Sequence, residues 1–218
     1  REPVALAVSP DGRKIWAAGH LPAGAADGDF TAAALTLVED GKAVHFPLSN
    51  GTQGVRGMAI SPDGRYLAVA HVLSRYQVPT TQLDRGWMNT NAVTVIDTDE
   101  PDKPHPVLLD DPDAGAANPW GVSFSGDGGK LFVTHAGTHE LSVIDFPALL
   151  ERMKREGRGN EPVSERLGFL HGLRTRIALP LNGPRSVASD GKNVYVAGYF
   201  SDSLAEVSLC LLYTSPSP

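Results

Sequence analysis

The sequence contains a single cysteine, Cys210, in 218 residues. That excludes an internal disulfide framework and every zinc pattern built on several cysteines. It also lacks a basic surplus: 19 Lys plus Arg stand against 25 Asp plus Glu, a formal charge of −6. Such a balance offers little to displace counterions from phosphates, so no nucleic-acid partner is expected. No apolar run approaches the roughly 18 residues of a membrane-spanning helix, and no transmembrane segment is expected. An initiator methionine is missing too. The chain opens at Arg1 and runs straight into a strand-like stretch, so we expect a piece of a longer protein whose N-terminus and any signal peptide lie outside it. What is abundant is Gly (23) and Pro (17), alongside 41% hydrophobic residues. Turns are therefore frequent, a core is affordable, and a helical bundle is not expected.

One turn recurs. Ser9-Pro10-Asp11-Gly12, Ser61-Pro62-Asp63-Gly64, Ser125-Gly126-Asp127-Gly128 and Ser189-Asp190-Gly191 each sit between two short apolar runs, with their aspartates 52, 64 and 63 residues apart. A second series follows them: Leu35-Thr36-Leu37-Val38, Val93-Thr94-Val95-Ile96-Asp97, Leu141-Ser142-Val143-Ile144-Asp145 and Leu204-Ala205-Glu206-Val207. These runs have strand length and β-branched content. One unit reads as strand A (58–61), a Pro-Asp-Gly turn, strand B (66–70), a loop, strand C (92–97), a turn and strand D (106–109). Near-continuous apolar strands suit sheets covered on both faces. The expected fold is all-β, a β-propeller of four-stranded antiparallel blades, with units at about 1–54, 55–119, 120–184 and 185–209. That makes three blades and the first three strands of a fourth.

Phe132-Val133-Thr134-His135, Tyr195-Val196-Ala197-Gly198 and Ser142-Val143-Ile144-Asp145 carry a likeness to a known group. Over residues 4–209 the chain resembles the YVTN-type β-propeller repeats. The resemblance implies a ring of seven or eight blades, of which this chain is a part. It implies no particular chemistry, because propellers host many functions.

The spacing exceeds a bare repeat, so the excess lies in loops. A B–C insertion at 71–91 holds Arg75, Tyr76, Gln82, Arg85, Trp87, Asn89 and Asn91, a composition suited to an ordered binding loop. Its aromatics fit equally well as plugs on the propeller top. A C–D insertion at 147–173 is expected on the opposite face. It begins with a short amphipathic helix over 147–154, ended near Gly157, followed by a helical turn around 164–170, packed under the blade or offered to a partner.

His71 and His135 each lie eight residues after a turn aspartate, on equivalent sites of adjacent blades, with His139 four residues further on. They are candidate metal- or haem-facing residues; the alternative has each histidine anchoring its loop. Asp110-Asp111-Pro112-Asp113 and Asp97-Thr98-Asp99-Glu100 lack calcium-loop spacing and read as solvated turns. No nucleophile elbow, phosphate loop or dinucleotide fingerprint occurs, and no catalytic residue is assigned.

A narrower likeness rests on residues 77–92, on Ala116-Ala117-Asn118-Pro119-Trp120-Gly121-Val122, on Thr134-His135-Ala136-Gly137-Thr138-His139-Glu140 and on Tyr199-Phe200-Ser201-Asp202-Ser203-Leu204. These are similar to a bacterial subfamily whose propeller precedes a cytochrome c peroxidase-like, di-haem region. The resemblance implies an exported protein, periplasmic or at the cell surface, with haem c in a C-terminal part absent here, since no Cys-x-x-Cys-His occurs in this sequence. It implies a non-catalytic module that docks a c-type cytochrome region or redox partner on the face made by residues 71–91, 110–120 and 135–140. Trp87 and Trp120 would anchor that face, Arg75 and Arg85 would donate hydrogen bonds, and His71, His135 and His139 would line it. A lactonase-type propeller hydrolase and a surface-layer or adhesion propeller are the alternatives. Residues 210–218 match the frame-shifted translation of a sequencing-library adapter and are expected to be an artefact.

Overall fold

A computed structural model describes residues 2–25, 27–76, 88–156 and 162–210. Strands β1 (Pro3–Val8), β2 (Lys14–Gly19), β3 (Ala34–Glu39) and β4 (Lys42–Pro47) make the first sheet. The second holds β5 (Thr52–Ile60), β6 (Tyr66–Ser74), β7 (Asn89–Asp97) and β8 (His105–Leu108). The third holds β9 (Pro119–Phe124), β10 (Lys130–His135), β11 (Glu140–Asp145) and β12 (Arg174–Ala178), and a three-stranded fourth holds β13 (Pro184–Ser189), β14 (Asn193–Gly198) and β15 (Ser203–Ser208). Each sheet is antiparallel with its strands in chain order. The first strands touch in the succession β1, β5, β9, β13 and so form the inner wall of an arc of blades. This is the β-propeller architecture the repeat predicts, with three four-stranded blades and three strands of a fourth.

The recurring turn is held by its own side chains. Ser61 Oγ donates to Asp63 Oδ1 (2.5 Å) and accepts from Tyr66 N (2.8 Å), while Gly64 supplies a φ of +77°. Ser9 with Asp11 and Ser125 with Asp127 repeat the pattern. The serine hydroxyls and following backbone N–H groups keep all three carboxyls below their ordinary range.

The cores lie between blades. Trp16 and Leu35 of the first blade meet Met58, Leu67 and Val69 of the second. Ala68, Val93 and Val95 meet Leu131, Val133 and Ile144 of the third, and Phe132, Leu141 and Val143 meet Val194 and Val196 of the fourth. Strands buried on both faces explain the unbroken apolar runs. On the first blade, Leu6, Val8 and Ile15 remain exposed on the face turned away from the second.

Two loop expectations need correction. In the second blade β6 and β7 pair as far as Ser74 and Asn89, so the insertion begins beyond 74, and His71 and Asn91 are strand residues. The C–D insertion does not stay on the opposite face. Helix α1 (Phe146–Glu156) starts there, capped by Asp145 Oδ1 accepting from Ala148 N, with Phe146 edge-on to Tyr66 and Phe124. The following chain then lies against β8: Val163–Glu165 forms a 3₁₀ turn and Leu167 joins Leu73, Ala92 and Leu108. The short edge strand β8 needs a cover, and these apolar residues supply it.

Candidate functional site

Every inner strand carries a register irregularity near its start, falling between Pro3 and Ala5, between Gln53 and Gly57, opposite Val133 to His135, and between Pro184 and Ser186. Val4, Arg56, Trp120 and Arg185 occupy equivalent places in these bulges, each directly before Ala5, Gly57, Gly121 or Ser186. A bulge re-aims a side chain. Here it assembles a ladder across neighbouring blades at the channel mouth. The Arg56 guanidinium carbon lies 4.5 Å from the Trp120 ring centroid, and that of Arg185 lies 4.1 Å from the same ring. Arg185 also stands 3.9 Å from the Tyr199 ring and 5.0 Å from that of Phe200. Tyr199 and Phe200 are 62% and 67% exposed, so the ladder ends in an aromatic pair open to solvent.

Glycines set the spacing. A Cβ on Gly57 would sit 2.0 Å from the Trp120 carbonyl oxygen, and one on Gly121 would sit 2.9 Å from that of Arg185. Only glycine lets inner strands approach so closely.

The histidines do something else. Both are fully buried. His71 Nδ1 is 3.1 Å from Val72 O and Nε2 is 2.6 Å from Thr94 Oγ1. His135 repeats this with Ala116 O (3.1 Å) and Ser142 Oγ (2.7 Å). A carbonyl only accepts, so Nδ1 carries the proton and Nε2 takes the hydroxyl hydrogen. Burial lowers the His71 pKa to about 4; burial, then the Arg174 and Arg176 charges, lower that of His135 to about 3. Each neutral ring thus ties strand B to strand C, and the ring lone pair a metal would use is already occupied. Among the described residues no three His, Cys, Asp or Glu gather as a metal site.

The remaining predicted residues divide. Asn91 is not a surface contact: its Nδ2 donates to Asp110 Oδ1 (2.9 Å), its N–H to Asp110 Oδ2 (2.7 Å), and its Oδ1 accepts from Asn118 N. Asp110 is 1% exposed and also accepts from Ala116 N, which corrects its reading as a solvated turn. Asp111 pairs with Arg174 and Arg176. Arg75 reaches back to the insertion, donating to Ser164 O (2.7 Å) beside Glu165. The cleft closed there holds about 170 Å³, below the roughly 300–1,000 Å³ of ligand pockets. Tyr76 is partly exposed, with its hydroxyl on Asn50 and Asp29. Asn89 is exposed and accepts from Gln53. His139, at a φ of +58°, accepts from Gly183 N through Nδ1. Gln82, Arg85 and Trp87 lie outside the described residues.

Of the residues proposed from sequence, only Trp120 stands in the ladder. Arg56 and Arg185 were missed. The signal was present, since each directly precedes a small residue in the same inner-strand position as Trp120-Gly121.

No protein-family model matches the chain. It is 27% identical over 213 residues to hydrazine synthase subunit beta of Kuenenia stuttgartiensis, which covers 94% of this chain and 53% of that protein. A chain in the solved structure of Kuenenia stuttgartiensis hydrazine synthase superposes with a TM-score of 0.81 at 25% identity, over 94% of this chain and 58% of that one. The chain spans little more than half the length of the relatives it matches.

Proposed function

We propose that this chain is a non-catalytic β-propeller module of a bacterial multi-subunit redox assembly, and that its channel-mouth face docks a redox partner polypeptide bearing c-type haem. The observation that carries this reading is the Arg56, Trp120, Arg185, Tyr199 ladder: half-buried Trp120 and Arg185 between exposed Arg56 and the exposed Tyr199 and Phe200 rings make an interaction surface on one face. The similarity to a subunit of a synthase supports it, as do the YVTN-type and cytochrome-fusion resemblances. Location in the periplasm or at the cell surface belongs to the same proposal. The haem is assigned to the partner or to a further region because the residues here do not fit it. Cys210 is the only cysteine, and His71 and His135 have both ring nitrogens engaged.

The test is affinity purification of the tagged protein from its native host, followed by haem absorbance and mass spectrometry of what co-elutes. A stoichiometric polypeptide carrying c-type haem is expected. Elution alone, or only with haem-free partners, contradicts the reading.

A further inference from the structure

Stacking uses up the faces of a guanidinium and leaves its edges. Arg185 is enclosed by three rings, those of Trp120, Tyr199 and Phe200, and Arg56, from the other inner strand beside that of Trp120, lies over the same indole ring. Among the described residues neither arginine forms an ion pair with a carboxylate, although the chain as a whole is acidic. The interior arginines Arg174 and Arg176 are instead paired with carboxylates: both share Asp111, and Arg176 also holds Glu140, although its Nε is buried without a partner. The Nε of Arg185 is buried with no hydrogen-bond partner. A protein with excess carboxylates that leaves two cations unpaired on one indole ring keeps them for an anion from elsewhere.

We propose that the ladder is a carboxylate-binding site, and that its ligand is an acidic segment presented by the partner polypeptide. The proposal rests on the docking reading above and specifies what that face recognises. The planar forks of Arg56 and Arg185 each match a carboxylate bidentately, and the exposed Tyr199 and Phe200 rings receive the apolar part of the same segment. The aromatic enclosure fixes the Arg185 fork before binding, so little side-chain freedom is lost on association. A lysine holds the charge but not the fork, and it stacks poorly.

Titration calorimetry of the full chain at low salt, with a tetraglutamate peptide, citrate and inorganic phosphate as separate probes, tests the site. Saturable binding of the peptide is expected, weakened about tenfold or more by Arg56→Met and by Arg185→Lys, and retained within a few-fold by Trp120→Phe. Arg56 is exposed, so its variant is expected to leave the melting profile unchanged. Undetectable peptide binding by the wild type, or binding by both arginine variants as tight as that of the wild type, overturns the site. Citrate bound as tightly as the peptide overturns the partner-borne source, and phosphate bound more tightly than either overturns the preference for carboxylates. Native-host purification of the same variants separates the two claims. Haem polypeptide recovered undiminished with Arg56→Met and Arg185→Lys overturns the ladder as the recognition element while the docking reading stands. Peptide binding that follows the variants, with no haem polypeptide recovered even by the wild type, supports the site and contradicts the docking reading.

Discussion

At the scale of single residues, similar sequence environments lead to opposite outcomes. His71 and His135 were marked by their spacing as equivalent, and equivalent they are, each donating to a backbone carbonyl and accepting from a strand C hydroxyl. Their equivalence serves the blade, and it carries a pH signature. The rings titrate at about 4 and about 3 in the folded chain, against an ordinary value of 6.5. Above that ordinary value both states are neutral and the full stability is present. As pH falls through it toward the folded values, only the unfolded chain gains the protons. Stability then drops by up to about 1.4 kcal/mol per pH unit for each ring. Urea midpoints between pH 7.5 and pH 5 are expected to fall accordingly, and His135→Gln to flatten the slope; a wild-type midpoint constant over that range contradicts buried neutral rings. Asp110 shows why residue-level reading has limits. Its run of aspartates looks like a solvated turn, and only the fold brings Asn91 and Ala116 to its carboxylate.

At the scale of elements, what was legible was local. The Ser-Pro-Asp-Gly turns are closed by hydrogen bonds within about five residues, so their chemistry is written in consecutive letters. The path of the C–D insertion was not legible. Its helix reads clearly from 147, but its route along β8 depends on Leu167 finding Leu73 and Leu108, and on Arg75 finding Ser164. The ladder is similarly non-local: three bulges must align before Arg56, Trp120 and Arg185 become neighbours. That alignment demands close inner strands. Gly57→Ala would place a methyl group 2.0 Å from the Trp120 carbonyl oxygen. The strands must part, and a loss of about 2 kcal/mol or more is expected in chemical denaturation, with weaker tryptophan–arginine stacking. An unchanged midpoint would show that the inner strands stand further apart than described.

For the whole molecule, the period of the repeat was enough to give the fold, because each blade buries its faces only against a neighbour and so every strand must repeat the pattern. The proposed docking role was less legible, since it rests on where the blades differ, in Trp120 against Arg56, Arg185 and Val4 at one repeated position. In the proposed docking, the channel-mouth face, rather than a blade edge, meets the redox partner. A photoreactive phenylalanine analogue placed at Phe200 on that face, or at Val44 on the outer strand β4, compares the two directly in the native host. A cross-link from position 200 to a haem-bearing polypeptide is expected, and none from position 44. Cross-linking from 44 with none from 200 would contradict it.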